Sequence, residues 1–272
     1  MLRRSALTLF AAAAVAALSA CSGGGPADGI VGGSSSPSAS GSATASGGVL
    51  RVASEGTYSP FTYHDAANGG QLTGYDVDVI TAVAEQMGMQ VEFTDVTFDA
   101  IFAGLEAGRY DVVANQVTVN PERQALYDFS TPYTVSTGAI ITRADDTSIT
   151  SLAGLAGKTT AQSLTSNWAQ VATDAGAQVE GVEGFTQAVT LLKQGRVDAT
   201  VNDDLAALDY LKTTGDTDVK IAAKTDDTSE QAFALQKGSD LTPKTDAALQ
   251  TLADDGELAA ISQKYFGQDV SK

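Results

Sequence analysis

Short apolar runs alternate with amphipathic stripes along most of this chain, and that alternation restricts the possible folds more than any other feature of the sequence. Leu50-Arg51-Val52-Ala53 has the length and character of a strand. After it, Ile80, Val83, Ala84 and Met87 recur at i, i+3, i+4 and i+7 ahead of Gly88, the spacing of a helix with one buried face and a glycine stop. Val91-Glu92-Phe93 reads as the next strand, and Ile101, Phe102 and Leu105 mark a second helix that ends at Gly108. Asp111 to Ala114 is again a strand. A chain that keeps this order builds a mostly parallel sheet with helices on both faces.

The alternation starts afresh further on. Lys158 to Gln162, Val179 to Val182, Val197 to Val201 and Val219 to Ala222 read as strands, with helices beginning at Ser166, Phe185 and Leu205 between them. The chain then returns through Gln231 to Gln236 to a helical tail, where Leu249, Leu252 and Ala253, then Leu258, Ile261 and Tyr265, keep helical spacing. The second α/β block is therefore inserted into the first. Two crossings between blocks imply a two-strand hinge near residues 135 to 140 and 228 to 233.

Chemistry concentrates between the blocks, from Asn115 to Gly138. Asn120 and Pro121 form a helix start, with asparagine as cap and proline where its missing N–H costs nothing. A strand end, the Thr118 hydroxyl, first-turn amides and Arg123 thus fall close together. Arginine offers two parallel N–H donors to a carboxylate, and the hydroxyl and amides can complete the shell. On residue types alone a structural ion pair with a nearby Asp or Glu is the plainer reading of Arg123 and comes ahead of carboxylate binding.

Asn115-Gln116-Val117-Thr118, Pro121-Glu122-Arg123 and Tyr127-Asp128-Phe129-Ser130-Thr131-Pro132-Tyr133-Thr134 resemble the core signature of family 3 solute-binding proteins, the polar amino-acid receptors of ABC importers. Within that family the Asn-Gln-Val version is similar to the cystine and cysteine binders. The resemblance implies a two-lobe, type II periplasmic-binding-protein fold. Lobe 1 takes residues 49–136 and 230–272, and lobe 2 takes 137–229. It also implies a ligand site closed from both sides. Arg123 would grip the ligand carboxylate with Thr118; Glu55 and Tyr58 would stand beside the ligand; Phe98 would lie over it. Gln116, where many relatives have a small residue, would narrow or polarise the pocket. From lobe 2, Ser166 and Asn167 would add the amides of a helix start, Trp168 an aromatic wall, and Asp203 the acid for the ammonium group. Each has a plainer alternative: Tyr58 in surface packing, Phe98 and Trp168 in the core, and Asp203 as a helix cap, with Asp204 taking over that role if Asp203 is occupied by ligand. The Ser163-Leu164-Thr165-Ser166-Asn167 run departs from the glycines usual in this loop, and Ser59 stands where proline is common.

The N-terminus carries its own signals. Arg3 and Arg4, an apolar run from Ala6 to Leu18, and Leu18-Ser19-Ala20-Cys21 read as a secretory signal over 1–20, whose ending resembles a bacterial lipobox. Cys21 is the only cysteine, so no intramolecular disulfide can form, and it is expected to carry lipid. Residues 21–48 are dominated by Gly, Ser, Ala, Thr and Pro, a composition that reads as a tether of roughly 30 Å reach. The expected location is outside the cell, held to the outer face of the membrane by lipid alone. No later stretch is apolar for long enough to span a membrane, so any pore must come from permease subunits with a separate ATPase. A net charge of −17 argues against nucleic acid and anionic lipid surfaces. A monomer is expected.

Other functions compete with this reading. His64 is the only histidine and sits in a polar loop without a nucleophile motif, so no Ser-His-Asp catalyst is evident. No spacing suggests a metal cage, and no cofactor or metal is expected. A carboxylate-based lyase using Glu55 or Asp203 is the enzymatic alternative. A sensor module on the same fold is the other. Among ligands, cystine and cysteine come first by resemblance, followed by glutamine and other polar amino acids.

Overall fold

The computed structural model describes residues 47–271. The expected signal segment, Cys21 and nearly all of the tether lie outside the described residues. In chain order the strands and helices are β1 (Val49–Ser54), β2 (Thr57–Tyr58), β3 (Thr62–Asp65), β4 (Gln71–Thr73), α1 (Tyr75–Gln86), β5 (Gln90–Asp95), α2 (Phe98–Glu106), β6 (Val112–Thr118), α3 (Pro121–Leu126), β7 (Tyr127–Phe129) and β8 (Thr134–Arg143). They continue with β9 (Thr159–Gln162), α4 (Asn167–Asp174), β10 (Gln178–Gly181), α5 (Phe185–Lys193), β11 (Ala199–Asp203), α6 (Asp204–Thr214), β12 (Val219–Gln236), α7 (Thr242–Asp254) and α8 (Glu257–Phe266).

The fold is two α/β lobes sharing two long strands. The sheet order β10-β9-β11-β8-β12-β6-β1-β5 places one lobe's strands at each end and β8 and β12 in the middle. Within the lobes β1 pairs parallel with β5 and β6, and β9 pairs parallel with β10 and β11. Antiparallel pairing enters the main sheet through β8 and β12, which run past each other and bond to β11, β6 and β7.

Side-chain alternation sorts each lobe's core into two layers. In β1, Leu50 and Val52 face the cluster built with Tyr75, Ile80 and Leu252, while Ala53 faces Ile101 and Leu105 of α2. β6 repeats the division, with Val112 and Ala114 on one face and Val113 and Val117 on the other. In the second lobe Ala139 and Ile141 meet α5, and Ile140 meets Trp168 of α4.

Three local features differ from the sequence expectation. The segment between β1 and α1, to which the sequence reading assigned no element, holds β2, β3 and β4 as a small antiparallel sheet. The expected strand at Val219 to Ala222 does not end there; it continues as a single 18-residue strand to Gln236. The polar run Asp226-Asp227-Thr228-Ser229-Glu230 hides this continuity, since a hinge strand exposed on both faces needs no apolar alternation. The helical tail is broken in two at Gly256, which takes the left-handed conformation (φ 77°) between α7 and α8.

Candidate functional site

β1 ends beside the middle of β6, and the residues of β6 from there onward begin the site with the loop after β1. Asn115, buried in β6, accepts from the Glu55 backbone N–H at 2.8 Å and from Thr62 Oγ1 at 3.0 Å, and its Nδ2 donates to Glu55 Oε2 at 2.7 Å. This one side chain fixes both the loop carrying Glu55 and the direction of its carboxylate. Next to it Gln116 has a left-handed backbone (φ 47°), unusual outside glycine. The buried Asp76 carboxylate holds that turn by accepting from the Gln116 N–H at 2.5 Å and from its Nε2 at 2.8 Å.

A cavity lies between the lobes. Glu55, Tyr58, Phe98 and Gln116 reach it from one side; Ser166, Asn167 and Trp168 reach it from the other. Ser166 caps α4 by accepting from the Ala169 N–H at 3.1 Å. Trp168 combines the two roles considered for it, since it belongs to the second-lobe core and also lines the cavity.

Arg123, Thr118 and Asp203 lie outside that lining. The Asn120 side chain accepts from the Arg123 N–H at 2.8 Å and begins α3. Arg123 is 8% exposed, and its guanidinium donates to the Thr118 carbonyl and, across the cleft, to the Thr165 carbonyl, both at 3.0 Å. Its central carbon sits 5.5 Å from the Phe98 ring and 5.3 Å from that of Phe102. Burial lowers its pKa to about 10, against the charges of Tyr127 and Glu122. Asp203, 2% exposed, ends β11; its Oδ2 accepts from Ser136 Oγ at 2.5 Å and its Oδ1 from the Leu205 N–H at 2.9 Å. It therefore does cap α6, while the neighbouring Asp204 carboxylate meets Lys224 at 2.7 Å. Neither Arg123 nor Asp203 has an oppositely charged group within ion-pairing distance among the described residues.

The surroundings are short of positive charge. Burial pushes Asp203 up to about 7, helped by the neighbouring charge of Asp204 and resisted by the hydrogen bond from Ser136. Glu55 is pushed up to about 7 by the same cause, against its bond to Asn115, and Asp76 to about 6 against its bonds to Gln116. Three carboxyls near one cleft thus hold protons more tightly than they would in water. A bound ammonium group would reverse that.

Polar contacts also join the lobes directly. Tyr58 Oη donates to Asn202 Oδ1 at 2.6 Å, Ser59 Oγ to Asp209 Oδ2 at 2.9 Å, and Thr165 donates through N and Oγ1 to Asp99 Oδ1 at 3.0 and 2.8 Å. Asn115, Gln162 and Asn202 were not singled out from the sequence, although all of them line the cavity. Asn115 follows the apolar run that opens β6 and Asn202 stands one residue before the end of β11, and a polar residue late in a buried strand is the signal that could have found them. The expected rival base, His64, is exposed on β3 and bonded to Asp95 at 2.7 Å, away from the cavity lining.

A family model described as bacterial extracellular solute-binding proteins, family 3, matches residues 50–268. The L-cystine-binding protein TcyA of Bacillus subtilis is 47% identical over 275 residues, covering 100% of both chains. The L-cystine-binding protein TcyJ of Escherichia coli is 36% identical over 232 residues, 83% of this chain and 85% of its own. Among solved structures, an ancestral arginine-binding protein bound to arginine superposes with a TM-score of 0.76 at 38% identity, over 80% of this chain and 98% of that one. The L-cystine solute receptor of Neisseria gonorrhoeae in its unliganded open conformation is 45% identical but superposes with a TM-score of only 0.56, over 84% of this chain and 97% of that one.

Proposed function

This chain belongs to the bacterial extracellular solute-binding proteins, family 3, and from that membership we propose that it captures a polar amino acid, cystine or cysteine first, between its two lobes and hands it to an ABC permease. It is a binding protein rather than an enzyme, as its relatives are. The lobes are taken as residues 49–136 with 230–272, and 137–229.

One observation carries the ligand class: a buried guanidinium in one lobe and a buried carboxyl in the other, each without a charged partner among the described residues. Such charges are costly alone and become tolerable when an opposite charge meets them. A free amino acid supplies both charges in one small molecule. Arg123 would exchange its bond to the Thr165 carbonyl for the ligand carboxylate, joined there by Thr118, Ser166 and Asn167. Asp203 would take the ammonium while Glu55, Tyr58, Phe98, Gln116 and Trp168 enclose the rest. The resemblance in sequence favours cystine, since three of the similar proteins are named for it.

The state described is the shut one. Polar contacts cross the mouth, and the better superposition goes with a ligand-bound relative despite its lower identity. Ligand contacting both lobes would shift the population toward this form, which a permease distinguishes from the empty receptor by shape. Lipid on Cys21 would keep the receptor at the outer membrane face, as a monomer on a flexible tether.

Trp168 offers the test, because it is the only tryptophan and lines the cavity. Titrating free amino acids should change its fluorescence saturably with one polar amino acid and raise the melting temperature with the same one. A flat response to every amino acid, cystine included, would sink the proposal.

A further inference from the structure

Residues 114 to 116 of β6 stand against the single Phe233 of β12, because the pairing steps from Val117 opposite Ala232 to Val113 opposite Ala234. β6 therefore bulges where Asn115 and Gln116 sit, and a bulge re-aims the side chains it carries. The bulge depends on the left-handed backbone of Gln116 (φ 47°), a conformation that strains a residue with a Cβ. Such a turn persists only where its surroundings hold it.

Asp76 supplies the hold. Its Oδ2 accepts from the Gln116 backbone N–H at 2.5 Å and its Oδ1 from Gln116 Nε2 at 2.8 Å, so two donors of one residue meet both oxygens of one carboxylate. Asp76 is fully buried, and no cation lies within ion-pairing distance of it among the described residues. It stands in the first turn of α1, whose positive end favours a carboxylate. The start of α1 is in turn fastened to the segment that carries Tyr58: the Tyr75 N–H donates to the Pro60 carbonyl at 2.9 Å and the Asp76 N–H to the Phe61 carbonyl at 3.0 Å. Before the left-handed residue, Asn115 holds the Glu55 N–H and carboxylate; after it, the Thr118 carbonyl accepts from Arg123.

We propose that Asp76 is a positioning residue of the ligand site: by holding Gln116 left-handed it keeps the bulge that sets Asn115 against Glu55 and Thr118 against Arg123. This rests on the receptor reading above, in which those residues meet the ligand. Asp76 is not among the residues that line the cavity, so its effect on binding passes through the backbone of Gln116. Without the carboxylate, the bulge relaxes toward extended backbone in part of the population, and Asn115 and Thr118 no longer face their partners together. Affinity then falls by the fraction of molecules that still have the competent turn. Glycine at position 116 adopts the left-handed turn without strain, so it removes the need for the hold.

The test is calorimetric titration of the full chain with L-cystine and L-glutamine at pH 8, where Asp76, raised to about 6 by burial, is ionised. Asp76→Ala should weaken binding about tenfold or more, the factor that the strain of one left-handed residue with a Cβ implies. Asp76→Asn, which keeps an oxygen for the Gln116 N–H, should recover most of that loss. In a Gln116→Gly background, whatever its own affinity, adding Asp76→Ala should change binding by no more than about threefold, because the residue it acts through no longer needs it. A purely structural Asp76 would instead lower the melting temperature and leave the affinity of the folded protein alone. An unchanged affinity in Asp76→Ala, an Asp76→Asn no better than Asp76→Ala, or an equal loss in both backgrounds overturns the inference alone. Should Asp76→Ala fail to fold, folding of its combination with Gln116→Gly supports the inference, and failure of both overturns it. A wild type that binds neither amino acid overturns the receptor reading together with it.

Discussion

A guanidinium surrounded by two carbonyl oxygens and two aromatic rings has no carboxylate within ion-pairing distance among the described residues. Replacing Arg123 by alanine should therefore leave the fold intact and cost roughly 3–5 kcal/mol of ligand binding, a few hundredfold or more in affinity. Isothermal titration that gave near wild-type affinity for this variant would remove Arg123 from the site. Asp203 allows a test by pH. Its folded pKa, about 7, lies above the ordinary value of about 4, so between them the folded protein holds a proton that the unfolded chain has released. The stabilisation from this group is complete below about pH 4 and is lost as pH rises toward 7. Melting of the ligand-free protein should accordingly fall across that window relative to Asp203→Asn, whose profile lacks this contribution. A constant difference between the two would contradict it. An amino acid whose ammonium reaches Asp203 should also release a proton on binding near pH 6, visible as a dependence of the binding heat on the buffer.

At the level of elements, the helices and the cap at Asn120 follow directly from local patterns. Apolar periodicity and a cap-proline pair act over a few residues and need no tertiary context. Tyr58, Phe98 and Trp168 could be placed at the cavity only through family resemblance, since an aromatic beside a cleft has the same local pattern as an aromatic in a core. Gln162 and Asn202 were out of reach, because what distinguishes them is an unpaired atom or a bond to the other lobe, each set by distant chain. The continuity of β12 was hidden for the reason given by its polar middle. At that middle its register against β8 slips between Lys224 and Thr228, so that residues 225 to 227 lie opposite Gly138. A Cβ at Gly138 would come 2.5 Å from Trp168 Cζ3 and 2.8 Å from Thr225 Cγ2. Gly138→Ala should displace the indole, lowering the melting temperature by several degrees, the equivalent of about 1–3 kcal/mol of overpacking, and shifting the ligand-free tryptophan emission. Unaltered emission with wild-type melting would show that the close approach does not constrain Trp168.

For the molecule as a whole, the balance between shut and open forms rests on the few contacts that cross the mouth. Removing three of them together, with Tyr58→Phe, Ser59→Ala and Asp99→Ala, deletes hydrogen bonds worth about 0.5–1.5 kcal/mol each. The ligand-free ensemble should then expand, with a larger radius of gyration in solution scattering, and saturating ligand should bring it back. Equal radii for the variant and the wild type without ligand would show that these contacts do not set the balance. The strand β12 adds a consequence of its own. Because it bonds to β8 along the crossing and to β6 beyond it, swinging the halves apart need not unzip any rung of main-chain bonding; the flexure can be absorbed by the unpaired residues 225 to 227. A movement that spares the backbone costs little free energy, so the grip of a single nutrient molecule suffices to drive it, and its departure suffices to undo it.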